Sequence, residues 1–222
     1  MTQKTCAVIF DIDGVLIDSY QAHQESWQRI ARKHGHEMTD DQFAATFGQT
    51  SREIIRQLWA TASLTDQSVA EIDDEKEAAF REIIADNYPI MPGARELINM
   101  LHAAGFSLAV GSSGPPENVQ LTLDRLNREN KITAAVSGDD VQRGKPDPEV
   151  FQIAARRLQV PPSACAVIED AAVGIAAANA AGMLSIALVS TGHSPSEYGE
   201  ADHVLQRLNE LSPERVRDWL AN

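Results

Sequence analysis

Cysteine is nearly absent: the 222 residues hold two, Cys6 and Cys165. Each lies in an apolar run, Cys-Ala-Val-Ile-Phe and Cys-Ala-Val-Ile-Glu, so both read as buried strand residues rather than as a disulfide or a metal pair. Aromatic residues make up only 5%, and Trp27, Trp59 and Trp219 fall on helical patterns, where packing is expected rather than base stacking. Positive charge is in deficit. A formal net charge of −13 excludes general binding to nucleic acid or to anionic membranes, since both need basic patches. No apolar run approaches the ~20 residues of a membrane span. Asn-x-Ser/Thr is missing, and the segment after Met1 is polar before it turns into an apolar run, unlike a signal peptide. A reducing cytoplasm is the expectation.

Three common fingerprints are missing as well. No Gly-x-Gly-x-x-Gly occurs. Gly138-Asp139-Asp140-Val141-Gln142-Arg143-Gly144-Lys145-Pro146 has one residue too many between its glycines for a P-loop, and proline where the magnesium-binding Ser/Thr belongs. Gly111-Ser112-Ser113-Gly114 is not the Gly-x-Ser-x-Gly of serine hydrolases. His34, His36, His102, His193 and His203 show no metal-ligand spacing.

What is present is an apolar share of 43%, enough for a sizeable core. Short apolar runs predict strands at Cys6–Phe10, Ser107–Val110, Ala134–Val136, Cys165–Ile168, Leu184–Leu188 and, more weakly, His203–Leu205. Helical periodicity covers Ala94–Ala104, Asn118–Asn127, Glu149–Leu158, Val173–Ala181 and Glu210–Leu220. This alternation predicts an α/β fold, a Rossmann-like parallel sheet flanked by helices. From about Gln21 to about Asn87 no strand pattern occurs, only helical stretches such as Ser26–Lys33, Ser51–Ala60 and Ile72–Ile84. The interval closes at Tyr88-Pro89-Ile90-Met91-Pro92-Gly93, a suitable re-entry linker. The expected organisation is an α/β catalytic core of residues 1–18 and 90–222 with an inserted α-helical cap domain at 19–89.

The strongest chemical signal is Phe10-Asp11-Ile12-Asp13-Gly14-Val15-Leu16-Ile17-Asp18-Ser19. Residues i and i+2 of an extended segment point the same way, so Asp11 and Asp13 face one site beyond a strand's carboxyl end, where ligands of parallel sheets collect. A carboxylate can attack phosphorus once a cation neutralises the phosphate, and a second acid can shuttle the proton. The plainer reading is a pair of turn-forming aspartates. Glu169-Asp170 also ends an apolar run; these acids either cap the following helix or converge with Asp11 and Asp13. Such convergence needs a divalent cation, and all-oxygen ligation suits Mg2+. The Val110-Gly111-Ser112-Ser113-Gly114-Pro115-Pro116 segment opens a helix and reads either as a polar loop or as an anion site. Lys145, in Gly144-Lys145-Pro146-Asp147-Pro148, is either a surface lysine or the local cation that an acidic chain requires to hold phosphate.

These four segments, in this order and spacing, resemble the haloacid dehalogenase-like superfamily over essentially the whole chain. The similarity is to its branch with a small helical cap after the first strand, which includes β-phosphoglucomutase and many sugar- and glycolate-phosphate phosphatases. The resemblance implies that Asp11 is a nucleophile forming an aspartyl-phosphate. It makes Asp13 the general acid/base, lending a backbone carbonyl to the metal. Ser112, with Ser113 beside it, matches the phosphate-binding hydroxyl, and Lys145 the lysine tying phosphate to nucleophile. Asp11, Asp13, Glu169 and Asp170 then form the Mg2+ site. One departure is Ala171, which stands where relatives often carry Ser or Asp and so lacks a hydroxyl close to the metal.

Members that cleave carbon–halogen or carbon–phosphorus bonds lack the second aspartate, so Asp13 favours phosphate esters. Within the cap, the resemblance implies substrate contacts for His23, Arg52 and Lys76; the plainer readings are an ordinary helix histidine and a solvated charged face. Where the mutase carries a second cap cation, this chain has Gly48. The expected activity is therefore a Mg2+-dependent phosphatase acting on a small phosphorylated metabolite, a sugar phosphate. A β-phosphoglucomutase-type mutase is the runner-up and a catalytically silent binding module a third reading. Nothing specifies an oligomer, and a monomer is compatible with all three.

Overall fold

The computed structural model describes residues 5–46, 49–59, 64–127 and 129–221; Gly48 and Ala60, cited above, lie outside them. The chain runs β1 (Ala7–Phe10), α1 (Tyr20–Lys33), α2 (Asp40–Thr46), α3 (Ser51–Leu58), α4 (Asp66–Ile84), α5 (Ala94–Ala103), β2 (Ser107–Gly111), α6 (Pro116–Leu126), β3 (Ile132–Val136) and α7 (Glu149–Leu158). It continues through β4 (Cys165–Glu169), α8 (Ala172–Ala180), β5 (Leu184–Leu188), β6 (His203–Leu205) and α9 (Pro213–Ala221). Two compact units result: Met1–Asp18 with Ile90–Asn222, and Ser19–Pro89.

The first unit is built on a parallel sheet of order β3-β2-β1-β4-β5-β6. Its centre is apolar because β1 and β4 are covered on both faces: every residue of Ala7–Phe10 and Cys165–Glu169 is buried. Burying each large side chain there, Phe10 and Ile168 among them, stabilises the fold by roughly 1.5–3 kcal/mol. The order reverses between β1 and β4, the point in such sheets where strand ends diverge and a crevice opens. Register brings the strand ends level, with Phe10 opposite both Val110 and Ile168. One residue further, the Asp11 amide donates to the Ile168 carbonyl at 2.9 Å and the Ser112 amide to the Val136 carbonyl at 3.0 Å.

Several local expectations shift, each for a physical reason. β3 starts at Ile132 rather than Ala134, because the Asn127 carboxamide brackets Ile132 by donating to its carbonyl (2.8 Å) and accepting from its amide (2.9 Å). β3 is an edge strand, so its burial alternates and its apolar run is short. The final helix begins at Pro213, not Glu210, since Leu208–Glu210 forms a separate 3-10 turn and proline suits a first helical turn. Cys165 is buried, but Cys6 lies outside β1 and is only half-buried.

The second unit is entirely helical among its described residues. Its core gathers Trp27, Ile30, Phe43, Ile54, Ile55, Trp59, Val69 and Ile72. Helix α2 carries no apolar stripe long enough to be read from sequence, with only Phe43 and Thr46 buried. It is set by a reciprocal cap: the Thr39 amide donates to Gln42 Oε1 (2.9 Å) and the Gln42 amide to Thr39 Oγ1 (3.2 Å). Helix α4 likewise starts six residues before the expected Ile72, at Asp66, behind a box between Thr65 and Ser68.

Candidate active site

β1 and β4 are neighbours, so the residues just past their ends meet. Ligand atoms of Asp11, Glu169 and Asp170, all buried, lie within 4.8 Å of one another. Three carboxylates this close repel one another unless a cation stands among them. One cation is the ammonium of Lys145, which reaches Asp11 Oδ1 at 2.6 Å and Glu169 Oε1 at 2.5 Å with its side chain only 6% exposed. Its aliphatic stem passes Phe151 of α7, the Nζ standing 5.0 Å from the ring centroid.

The electrostatics follow from burial. Desolvation pushes the Asp11 carboxyl up to about 8, helped by Glu169 and Asp13 and opposed by Lys145. Asp170 is raised well above the carboxylate range by burial first, then by Glu169 and Asp11. For Lys145 burial acts downward, but the Asp11 and Glu169 charges outweigh it and hold the ammonium above its ordinary value. Without a further cation, burial therefore favours the protonated forms of Asp11 and Asp170.

Close backbone approach makes room for these carboxylates. A Cβ on Gly14, whose φ is +72°, would sit 1.6 Å from Asp170 Oδ2. A Cβ on Gly174 would sit 1.8 Å from Glu169 Oε1. Glu169 also accepts from the Ala171 amide at 2.7 Å. The donors are all oxygen, anionic and gathered on a backbone cradle, which fits a hard divalent cation.

Asp13 is half-buried and lies outside this three-carboxylate cluster, near enough to raise Asp11. Ser112 follows β2 and is buried; its hydroxyl accepts from the Gly114 amide at 3.0 Å. Ser113 is exposed beside it, just ahead of α6.

In the helical unit, His23 and Lys76 come together, Nζ to Nδ1 at 2.9 Å. Lys76 is not on a solvated face: it is 2% exposed, bound to Glu77 at 2.8 Å, and 5.4 Å from the Trp27 ring. The His23 ring stacks on Phe80 at 4.0 Å. Arg52 stands apart from them, 62% exposed and paired with Asp73 at 3.2 Å.

Sequence reasoning missed the residues that surround Asp170. Ser190 donates to its Oδ2 at 2.7 Å, and Tyr198 donates to its backbone carbonyl at 2.5 Å. They follow β5, far along the chain, in a segment of polar residues with no strand or helix period to mark it.

The chain as a whole is similar to known proteins. A family model described as haloacid dehalogenase-like hydrolase matches residues 6–182. The validoxylamine A 7'-phosphate phosphatase of Streptomyces hygroscopicus subsp. limoneus is 35% identical, over 91% of this chain and 94% of that protein. The phosphorylated carbohydrates phosphatase of Thermotoga maritima is 33% identical, over 80% of this chain and 82% of that protein. Among solved structures, β-phosphoglucomutase from Clostridium difficile superposes with a TM-score of 0.86 at 24% identity, covering 98% and 97% of the two chains, a likeness of fold.

Proposed function

Because this chain belongs to the haloacid dehalogenase-like hydrolase family, we propose that it is a Mg2+-dependent phosphatase that hydrolyses a small phosphorylated metabolite, a sugar phosphate by class, through a phosphorylated Asp11. One observation carries the reading: a buried lysine bridges the carboxylate at the end of β1 to the one at the end of β4. A purely structural ion pair is served by one carboxylate. A third buried acid, Asp170, beside a single ammonium leaves carboxylate oxygens available to a divalent cation, which in turn would offset the charge of a phosphate.

The steps assigned to the chain's own residues are these. Lys145 holds Asp11 Oδ1, so that the second oxygen, Oδ2, attacks phosphorus in line with the ester oxygen. As the P–O ester bond breaks, Asp13 gives its proton to the departing alkoxide. Water then attacks the phosphoryl group on Asp11, Asp13 takes up the water proton, and the acyl-phosphate bond opens to return the Asp11 carboxylate and inorganic phosphate. The Ser112 hydroxyl and the amides ahead of α6 receive the phosphoryl oxygens. Asp11, Glu169 and Asp170, with the Asp13 carbonyl, would hold Mg2+, which when bound would neutralise charge at the phosphate. His23, Arg52 and Lys76 are assigned to substrate selection; of these, Arg52 is solvent-exposed and paired with Asp73, while Lys76 is enclosed by Glu77 and His23.

Mg2+ affinity is expected to depend on pH. Asp11 holds a proton up to about 8 in the metal-free chain, and that proton must leave when the cation binds. Affinity therefore rises as pH increases from 6 toward 8, by up to about tenfold per pH unit for each proton released, Asp170 being raised as well. Calorimetry in buffers of different ionisation enthalpy reads both the affinity and the released proton. A flat profile between pH 6 and 9 would count against a protonated Asp11.

The fold-level likeness to β-phosphoglucomutase keeps one rival specific. Incubation with Mg2+, β-glucose 1-phosphate and a trace of the bisphosphate separates the two. Release of inorganic phosphate, here and across a panel of sugar phosphates, is the expected result. Accumulation of glucose 6-phosphate instead would identify a mutase. No turnover of that panel or of p-nitrophenyl phosphate would favour a silent binding module.

A further inference from the structure

The structure assigns to Ser190 and Tyr198 the task of positioning Asp170 for the metal, an inference that rests on the Mg2+ site proposed above. Asp170 has neighbours on several sides. The Ser190 hydroxyl donates to Oδ2 at 2.7 Å. The same oxygen lies against Gly14, where even a methyl group would overlap it, and a Cβ there would also stand 3.0 Å from Ser190 Oγ. The Tyr198 hydroxyl, on a ring 2% exposed, donates to the Asp170 backbone carbonyl at 2.5 Å. His193 closes a further side: its Nδ1 is 2.8 Å from Glu197, and its Nε2 is 3.9 Å from Asp170 Oδ2, beyond hydrogen-bond range.

An aspartate carboxylate has a broad, two-fold terminal torsion and is otherwise free to swing. With Oδ2 engaged by Ser190 and seated over Gly14, the carboxylate plane is set before a cation arrives. Glu169 is held in a parallel way by Lys145 and the Ala171 amide. Residue 171 is alanine and has no hydroxyl to offer Asp170 locally. Ser190, from the end of the adjacent strand β5, supplies that hydroxyl from across the sheet, and Tyr198 anchors the backbone beneath. Partners of this kind outside the ligand set change metal affinity by about 10- to 100-fold.

The test compares wild type, Ser190→Ala, Ser190→Thr and Tyr198→Phe. Mg2+ dissociation constants come from calorimetry, and the Mg2+ concentration for half-maximal phosphate release comes from kinetics. Ser190→Ala is expected to raise both by about tenfold or more, with kcat at saturating Mg2+ retained and the metal-free melting temperature close to wild type. Ser190→Thr, which keeps the hydroxyl, restores the affinity, and Tyr198→Phe weakens it in the same direction. Wild-type Mg2+ affinity in Ser190→Ala overturns the inference and leaves the parent reading standing. A loss of melting temperature with unchanged affinity overturns it too, by showing a merely structural role. A wild-type chain that binds no Mg2+ overturns both.

Discussion

Asp11→Asn is expected to eliminate phosphate release, by roughly 10^3-fold or more, which corresponds to about 4 kcal/mol of barrier. The carboxamide keeps the size of the side chain and removes the attacking oxygen anion, so no phosphorylated intermediate can form. Fold and chemistry separate cleanly at this position. Burial is what pushes the Asp11 carboxyl upward, so the native fold carries a cost at neutral pH that a neutral Asn avoids. The sign follows: an unfolded aspartate ionises near 3.9, whereas the folded one stays protonated up to about 8. Its contribution to metal-free stability therefore falls as pH rises through that window. At pH 8 without metal the Asn variant should melt at or above wild type while its turnover is lost. Phosphate release assayed beside a melting curve decides the matter. Retained turnover in a folded Asn variant would sink the nucleophile assignment.

Lys145→Met is expected to have the largest effect on stability, together with loss of turnover. The wild-type ammonium is 6% exposed and bound by two carboxylates. Methionine fills the stem's space beside Phe151 but leaves Asp11, Glu169 and Asp170 with no counter-charge. Removing one partner of a buried ion pair typically costs about 3–5 kcal/mol, which in a chain of this size shifts melting by on the order of 10 °C. The loss should appear in metal-free protein at pH 8 and shrink at pH 5. At the lower pH Asp11 and Asp170 carry protons, since both are raised, and less charge is left uncompensated. Saturating Mg2+ should recover part of the melting temperature by supplying the missing positive charge. Equal melting of the two proteins at pH 8 in chelator would show that the ammonium is not the cluster's counter-ion.

Much of this protein is written in local pattern. Helix period and strand runs depend on residues within a few positions of one another, so α7 and β5 were legible end to end, at Glu149–Leu158 and Leu184–Leu188. The Asp11-Ile12-Asp13-Gly14 segment and the strand-free interval from Gln21 to Asn87 were legible for the same reason. Helix α2 was not, because its seven residues bury only Phe43 and Thr46 and give no periodic stripe.

The rest was settled by contacts between distant segments, for which no short-range signal exists. Parallel strands are joined by crossovers, so their order cannot be read from adjacent residues. Only the observed sheet order lays β1 against β4 and so places Glu169 and Asp170 beside Asp11. Lys145 by its local sequence alone read as a surface lysine or a local cation, and only the resemblance assigned it inward; the fold encloses it, and encloses Lys76 among Trp27, Glu77 and His23. Ala171 read as a missing hydroxyl. The return of the chain past β5 puts Ser190 where that hydroxyl was wanted, because pairing β4 with β5 brings their carboxyl ends, and the side chains just beyond them, to the same edge of the sheet.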